Sequence, residues 1–348
     1  MKEKKVMVYP SFNSTNQYIS LISKAIKNAG YEVVSPVKKI EFLCVDTFVL
    51  NWYENMPGSN VLPTFLRKIA KLFLIKCGGK QIVWVVHNKK PHDDRSGLSL
   101  LLMKILCLLS DKIIILSEET KTVLEKLVRN KRFYESKICK IPHPNYIGVY
   151  GEEKDSLINC NSTIKFLFLG MIRKYKNIEL LIDVFKELPR EYPVHLTIAG
   201  SCMDECYKKE LELRADKYDD NITLCLKFID DAEMVGLIQS NDILVLPYDI
   251  NSSLNSGTII LGFSYHKTVI SPMIGTLKEY SGSNFFYSYD YADDAEHKTK
   301  LTHCIEEVVR NITSEPDVLK RKGSVAYDLV KNSNSLNVVS GLYKKVIG

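Results

Sequence analysis

The sequence predicts an α/β protein built from two Rossmann-like domains. Its 348 residues exceed the roughly 250–300 that a single hydrophobic core usually serves. Short apolar segments alternate with amphipathic helical patterns, and one polar stretch at 151–162 interrupts that alternation. We therefore expect an N-terminal domain over 1–155, a second domain over 160–325, and a helical tail over 326–348 that packs back towards the first domain.

The first domain opens with a strand–helix–strand unit. The pattern predicts a strand at 6–10, a helix at about 15–29 that ends at Gly30, and a strand at 31–35. Such alternation is typical of a mostly parallel sheet with helices on both faces. Further strands are expected at 42–45, 82–87 and 112–116, with helices at 62–76, 98–109 and 118–129.

The second domain repeats the alternation. Two such domains in succession predict a cleft between them, and parallel sheets bind ligands outside the carboxyl ends of their strands. Strands are expected at 166–170, 195–200, 222–228, 243–247, 268–271 and 284–287, and helices at 177–188, 204–218, 232–239 and 256–265.

The charge and cysteine content exclude several functions. Forty-seven Lys and Arg are scattered among 41 Asp and Glu, with a formal net charge of +6, so we expect no nucleic-acid partner. The nine cysteines contain no CxxC pair, and the close pair Cys202 and Cys206 lacks a second pair of zinc ligands. We expect reduced thiols, no metal and no other cofactor.

No targeting or membrane-spanning segment is expected. A charged stub runs directly into the first strand, without the pattern of a signal peptide. The most apolar run, 98–109, carries Lys104 and falls short of the roughly 20 residues that span a bilayer. We expect a cytoplasmic protein.

A phosphate site is predicted where the first strand of the second domain ends. Gly170, Arg173, Lys174 and Lys176 lie between that strand and the next helix. Free backbone amides and cationic side chains at a helix start point at the same anion. The alternative is a loop of solvated charges, which explains the same residues without a ligand.

A second polar loop, 246–258, precedes the helix at 256–265. It offers amide and hydroxyl groups at another helix start on the same sheet edge, from Tyr248, Asn255, Ser256, Gly257 and Thr258. Ordinary capping by Ser or Asn is the alternative for a single residue. The length of the polar run favours ligand contacts.

Three motifs in order resemble the donor half of GT-B glycosyltransferases. They are Gly-x-x-Arg-x-x-Lys-Asn at 170–177, Leu-Thr-Ile-Ala-Gly at 196–200, and Asp-Ile-Leu-Val-Leu-Pro-Tyr at 242–248. The chain thus resembles family 4, the group 1 glycosyl transferases, in its bacterial polysaccharide branch. The resemblance implies a hexosyltransferase that moves a sugar from a nucleotide sugar to a saccharide or lipid-linked saccharide in the synthesis of surface polysaccharide or capsule.

The resemblance also assigns roles in the first loop. In that family an Arg and a Lys hold the diphosphate and stabilise the departing nucleotide, and Lys176 matches the Lys. The family's Arg usually follows the Gly directly, where this chain has Met171, so Arg173 is the substitute. These cations would act where other sugar transferases use a metal, and the resemblance implies a metal-independent enzyme.

This chain departs from the family at two glutamates spaced eight apart. Alignment through Gly257 puts Leu254 and Gly262 at those positions. Neither side chain binds a sugar hydroxyl, so the Asn255–Thr258 segment and Tyr248 become the expected donor contacts. Inversion or retention at the anomeric carbon stays open.

In the first domain, a polar run follows the strand at 82–86. His87, His92 and Asp93 are candidates for a general base, and Asn88 for an acceptor contact, because His titrates near neutrality and a carboxylate orients it. A structural histidine is the alternative. The run is similar to one in bacterial polysaccharide transferases of this superfamily, which favours function.

Three further residues are candidate acceptor contacts. Asn13 and Asn16 lie in the first loop after a strand, where capping is the alternative, and His143 lies in a Pro-His segment that resembles one in the family. A packed turn residue explains His143 equally well.

The helix at 62–76 interleaves apolar and basic residues, which predicts either peripheral contact with the inner face of a membrane or a plain solvated face. A nucleotide-sugar epimerase and a non-catalytic binding protein of the same fold stay open as alternatives. A dehydrogenase is disfavoured because 6–16 contains no GxGxxG.

Overall fold

The computed structural model describes residues 3–11, 16–35, 44–56, 60–89, 97–152, 163–215 and 220–348. The chain forms two compact units. Unit 1 comprises Met1–Pro144 together with Ser333–Gly348, and unit 2 comprises Asn145–Asn332. The domain boundary predicted at 155–160 falls outside the described residues.

Each unit contains one six-stranded sheet in which all paired strands are parallel. The predicted fold class is confirmed. In unit 1 the order is β2-β1-β3-β4-β5-β6, formed by β1 (Lys5–Tyr9), β2 (Glu32–Val34), β3 (Thr47–Asn51), β4 (Gln81–Val86), β5 (Lys112–Ile115) and β6 (Ile138–Lys140). In unit 2 the order is β12-β11-β10-β7-β8-β9, formed by β7 (Ile164–Leu169), β8 (Val194–Ala199), β9 (Ile222–Cys225), β10 (Ile243–Val245), β11 (Thr268–Pro272) and β12 (Tyr287–Tyr289).

Helices connect the strands and cover the sheets. They are α1 (Gln17–Asn28), α2 (Val61–Cys77), α3 (Leu98–Leu109), α4 (Thr120–Leu127), α5 (Ile178–Glu187), α6 (Glu205–Arg214), α7 (Asp231–Gln239), α8 (Gly257–Ser264), α9 (Gly275–Lys278), α10 (Asp294–Ser314), α11 (Val318–Ser333) and α12 (Leu336–Ile347). Short 3-10 turns lie at Lys131–Phe133, Glu135–Lys137 and Lys174–Lys176.

The C-terminal helix α12 is part of the core of unit 1. Its apolar face buries Val339, Tyr343 and Ile347 against α1, where Ile19 and Ile22 are equally buried. These side chains lie over the strands of the same sheet, because the apolar residues of α12 recur at helical spacing. Unit 1 is therefore completed by the end of the chain.

The third strand of unit 1 lies later than predicted. β3 is Thr47–Asn51, whereas the apolar pattern predicted a strand at 42–45. Two short apolar groups, 42–45 and 48–50, lie on either side of Asp46 and Thr47, and periodicity alone does not decide which of them forms the strand. The shift matters because β3 ends beside the candidate site of unit 1.

Candidate active site

The first candidate site lies at β7, where the order in which the strands of unit 2 are added to the sheet reverses. β7 is the first strand of this unit, and it pairs with β8 on one side and β10 on the other. The loops after β7 and β10 therefore start side by side at the carboxyl edge, where parallel sheets bind ligands. These loops, 170–177 and 246–256, are the two that the sequence singled out.

The glycines that follow β7 and β8 allow other atoms to approach the first loop closely. A Cβ built on Gly200 would lie 2.0 Å from the carbonyl oxygen of Gly170, so only glycine fits at this close approach. A Cβ on Gly170 would lie 3.2 Å from Lys176 Nζ and 3.4 Å from Thr258 Oγ1. The ammonium and the hydroxyl thus flank the point where a side chain of residue 170 would begin.

Lys176 carries a half-buried charge. Its Nζ lies 5.7 Å from the ring centre of Phe168 and 5.8 Å from that of Tyr248. With the residues that the structure describes, the ammonium forms neither a hydrogen bond nor an ion pair. Burial, assisted by the positive charge of Arg173, lowers the pKa of Lys176 to about 8. A half-buried cation that lacks a counterion is suited to bind an anion.

Two hydrogen bonds hold the loops together. Asn177 adopts a left-handed conformation with φ of 52°, which Asn tolerates better than most residues. Its Nδ2 donates to the carbonyl of Pro247 at 3.0 Å. The backbone NH of Asp249 donates to the carbonyl of Tyr175 at 3.0 Å. The turn that carries Lys176 is therefore fixed against the second loop.

Ser256 begins α8 as a buried cap. Its Oγ accepts a hydrogen bond from the backbone NH of Ile259 at 3.3 Å and lies 3.0 Å from the hydroxyl of Tyr248. Its own NH donates to Thr276 Oγ1 at 2.9 Å. The capping alternative accounts for this residue, and both Ser256 and Tyr248 hold the helix start in place.

Asn255, the residue before the cap, has an unsatisfied amide. Its Nδ2 and Oδ1 are both buried, and neither forms a hydrogen bond with any residue in the described ranges. Buried polar atoms of this kind are rare and destabilising unless a ligand or water meets them. The amide of Asn255 therefore offers one donor and one acceptor at the same edge as Lys176.

The second candidate site lies at the carboxyl edge of the sheet in unit 1. His87 directly follows β4 and is 6% exposed. Its Nε2 lies 3.0 Å from Oδ1 of Asn51. The ring stacks on Trp52 with centroids 4.1 Å apart and meets the ring of Tyr18 edge-on at 5.2 Å. Burial, with a further effect of His143, lowers the pKa of His87 to about 3, so the ring is neutral at physiological pH.

His143 lies on the other side of Tyr18, with ring centroids 4.8 Å apart. Its Nδ1 lies 2.8 Å from the carbonyl of Pro144, which only accepts, so this nitrogen carries the proton. Burial lowers the pKa of His143 to about 4. The fold therefore brings His87 and His143 into one aromatic cluster.

For the remaining predicted residues of unit 1 that the structure describes, it shows no contact that indicates a ligand. Asn16 caps α1, because its Oδ1 accepts from the NH of Tyr18 at 3.0 Å. Asn88 is half-buried beside His87. The other three predicted residues lie outside the described residues, and their roles stay predictions: Asn13, His92 and Asp93.

Sequence comparisons identify relatives of the chain. Residues 152–250 match the family described as Glycosyl transferases group 1. The GDP-mannose:glycolipid 4-beta-D-mannosyltransferase of Xanthomonas campestris pv. campestris is 23% identical over 270 residues, which cover 74% of this chain and 70% of the relative. The D-rhamnosyltransferase WbpZ of Pseudomonas aeruginosa is 31% identical over 115 residues, covering 33% of this chain and 28% of the relative.

Solved structures share the fold over nearly the whole chain. Anabaena Alr3699/HepE, solved in complex with UDP and glucose, matches with a TM-score of 0.71 and 12% identity, covering 99% of this chain and 98% of that one. Sucrose-phosphate synthase from Thermosynechococcus elongatus matches with a TM-score of 0.73 and 12% identity over 99% of both chains. The chain is a glycosyltransferase of the GT-B fold. The predicted resemblance and the predicted glycosyltransferase activity are thereby confirmed.

The family match covers three of the seven donor residues predicted in this glycosyltransferase. Arg173, Lys176 and Tyr248 lie within 152–250, whereas the Asn255–Thr258 segment follows it. The structure brings Lys176 and Thr258 to one point beside Gly170. The charge of Arg173 helps to lower the pKa of Lys176, and its Nε donates to the sulfur of Met171 at 3.2 Å.

Core packing fills the two positions, Leu254 and Gly262, that the resemblance aligns with glutamates. Leu254 is 1% exposed. A Cβ on Gly262 would lie 3.2 Å from Leu244 Cδ2 and 3.5 Å from Val269 Cγ1. A carboxylate at Gly262 would therefore meet the apolar face of the sheet.

Sequence reasoning missed a support behind the second loop. The hydroxyl of Tyr291 accepts from the NH of Ile250 at 3.0 Å and donates to the carbonyl of Tyr248 at 3.2 Å. Its ring stacks on His297 at 3.9 Å, and His297 Nε2 lies 3.0 Å from the hydroxyl of Tyr289. The alternating aromatics of β12 were the available signal for this layer.

Among the described residues, no group of three or more His, Cys, Asp or Glu side chains could hold a metal ion. No described helix combines the length and apolar character needed to cross a membrane.

Proposed function

We propose that this glycosyltransferase binds the diphosphate of a nucleotide sugar beside Lys176. The observation that carries the proposal is the half-buried ammonium, which finds no counterion among the described residues and faces the space beside Gly170 and Thr258. The unsatisfied amide of Asn255 supports a polar ligand at the same edge. HepE, a neighbour in fold, was solved in complexes with UDP and with UDP-glucose.

The proposed reaction is transfer to a hydroxyl group of a saccharide. The hydroxyl oxygen of the acceptor bonds to the anomeric carbon, while the bond from that carbon to the β-phosphate oxygen breaks. The electron pair of that bond leaves on the nucleoside diphosphate, and the hydroxyl proton passes to a base. Lys176 and Arg173 stabilise the charge that grows on the leaving diphosphate.

We propose that these two cations make a metal unnecessary. Activity should then persist after exhaustive treatment with EDTA, and added Mg²⁺ should not raise kcat. Activity that disappears with EDTA and returns with Mg²⁺ would contradict metal independence without affecting the donor site.

The acceptor is proposed to be lipid-linked. The curated relative from Xanthomonas is a mannosyltransferase whose name specifies a glycolipid. In this chain α2 exposes Leu62, Leu66, Phe73 and Leu74, with Arg67 and Lys71 also on its exposed side. The neighbouring helix α3 exposes Leu100, Leu101 and Leu108, and neither helix contains an acidic residue.

This basic apolar face, formed by α2 and α3, is proposed to lie on an anionic membrane on the cytoplasmic side. Apolar side chains enter the interface while the cations meet anionic headgroups. Leu66→Glu should lower co-sedimentation with vesicles that contain phosphatidylglycerol. The control is Leu213→Glu, because Leu213 is 82% exposed on α6 of unit 2. Equal vesicle binding by both variants would show that the basic apolar face does not contact the membrane.

A nucleotide panel tests the donor proposal. Thermal shift with UDP, GDP, ADP and their sugar conjugates should reveal one nucleotide that raises Tm, since a ligand stabilises the state that binds it. The matching nucleotide sugar should then be slowly hydrolysed or transferred. Inertness towards every donor would overturn the proposal.

A further inference from the structure

Asn51 connects two strand ends of unit 1 to His87. It is the last residue of β3 and is fully buried. Its Nδ2 lies 3.0 Å from the carbonyl oxygen of Tyr9, the last residue of β1. A carbonyl oxygen only accepts, so the amide nitrogen must face it. Oδ1 of Asn51 then faces His87.

That orientation decides which nitrogen of His87 carries a proton. Nε2 lies 3.0 Å from the Oδ1 of Asn51, which is an acceptor. The imidazole must therefore donate, and its Nε2 is protonated. Because a neutral ring has one proton, Nδ1 holds the free lone pair.

Nδ1 is available to a substrate. Within the described ranges the ring forms no second hydrogen bond, so Nδ1 has no partner among these residues. His87 is 6% exposed. The lone pair of His87 lies at the carboxyl edge of the sheet, where such folds bind ligands.

Trp52 holds the plane of the His87 ring. The two rings stack with centroids 4.1 Å apart and an interplanar angle of 22°. Trp52 has a φ of 47°, a left-handed conformation that disfavours residues with a side chain by about 1 kcal/mol or more. In this conformation the indole of Trp52 stacks on the ring of His87.

We infer that Asn51 is a positioning residue that, together with Trp52, fixes His87 as the Nε2–H tautomer, so that Nδ1 accepts a hydrogen bond from a sugar hydroxyl. The inference rests on the proposed function for its sugar ligand. It assigns His87 to holding the hydroxyl in place. The titratable neighbours that face the ring are Tyr18, which is buried, and His143, which is half-buried.

NMR of histidine-labelled protein tests the tautomer directly. The native His87 signal, assigned by its loss in His87→Gln, should show a proton on Nε2 and no titration between pH 5 and 8. Asn51→Leu should give a mixture of tautomers, because leucine offers no acceptor. A native ring that is protonated on Nδ1, or that titrates near pH 6.5, would overturn the inference.

Kinetics with a matched pair of variants test the function. Asn51→Leu should lower kcat/KM for the acceptor about tenfold or more and leave the affinity for nucleoside diphosphate unchanged. Asn51→Asp still accepts from Nε2, but its carboxylate raises the imidazole pKa. This variant should keep more activity at pH 8 than Asn51→Leu and lose it as the pH falls, because imidazolium has no free lone pair.

Native acceptor kinetics in Asn51→Leu, with a native pH profile in Asn51→Asp, would contradict the inference. Thermal unfolding and nucleotide affinity identify a variant that fails to fold, and Trp52→Phe then serves as the second probe because it retains an aromatic stack. Failure of the native protein to bind any nucleotide would instead count against the proposed function, since the NMR tautomer does not depend on the donor.

Discussion

The side chains at the carboxyl edges of the two sheets differ in charge and polarity. At the carboxyl edge in unit 2, Lys176 and Asn255 bring a charge and an amide that the described residues leave unsatisfied. At the corresponding edge in unit 1, the buried His87 and the half-buried His143 lie against aromatic rings and are neutral. One edge suits an anion, and the other suits the faces and hydroxyls of a sugar.

The difference follows from the residues that end the strands. Gly170 and Gly200 let backbone and cation approach one point in unit 2. In unit 1 the end of β3 supplies Asn51 and Trp52, whose amide and indole occupy the space around His87. The same strand topology therefore supports two kinds of recognition.

Loss of the cation should have the largest effect. Lys176→Ala should weaken nucleoside diphosphate binding and lower turnover by more than tenfold, because hydrogen bonds to charged groups contribute about 1.5–3 kcal/mol. Isothermal calorimetry and initial rates measure both quantities. Lys174→Ala is the matched control, since it removes the same charge from an exposed position of the same turn. Equal effects of the two variants would point to general electrostatics.

Asn255→Leu should separate binding from stability. Removing an unsatisfied buried amide should leave the ligand-free Tm unchanged or higher, because a buried polar group without a partner destabilises the fold by about 1–3 kcal/mol. Donor affinity should fall about tenfold. Thermal unfolding with and without nucleotide checks both outcomes, and a lower ligand-free Tm would indicate that the amide already has a partner.

Replacing His87 should affect the acceptor side alone. His87→Ala should lower turnover about tenfold while the affinity for nucleotide stays native. The native enzyme should show no acid limb from His87 near pH 6, because burial keeps the pKa of that ring at about 3. Rates measured from pH 5 to 8 in both proteins test this. A limb at pH 6–6.5 that disappears in His87→Ala would restore a general-base role.

The pH dependence of donor binding is the smallest expected effect. Burial lowers the pKa of Lys176 to about 8 in the free protein, and a bound diphosphate raises it again. Binding therefore favours the protonated form, with full affinity below pH 8 and a several-fold loss from pH 7 to 9. Phosphate, with a second pKa of about 6, stays ionised in this range. A flat profile would remove Lys176 from contact with the anion.

The sequence predicted the candidate site of unit 2 better than that of unit 1. Gly170, Lys176 and the second loop follow strong apolar strands with clear ends, so their meeting at one edge was predictable. Asn51 and Trp52 were missed because apolar residues lie on both sides of Asp46 and Thr47, and β3 contains the later group rather than the earlier one. The partners of His87 depend on that register.

Other departures have similar physical causes. Ser256 has the residue type of a ligand contact, but the fold uses its hydroxyl to cap α8 and to meet Tyr248. The role of Tyr291 behind the second loop depends on hydrogen bonds between segments 41 residues or more apart. No local pattern contains such long-range pairings.

We expect unit 2 to recognise the charged donor and unit 1 to recognise the neutral acceptor. A crossed experiment separates the two roles: nucleoside diphosphate affinity and acceptor kcat/KM are each measured in Lys176→Ala and His87→Ala. We predict that Lys176→Ala loses more than tenfold in nucleotide affinity, whereas His87→Ala keeps that affinity and loses acceptor kcat/KM. Native nucleotide affinity in Lys176→Ala, or an equal loss in His87→Ala, would contradict the account.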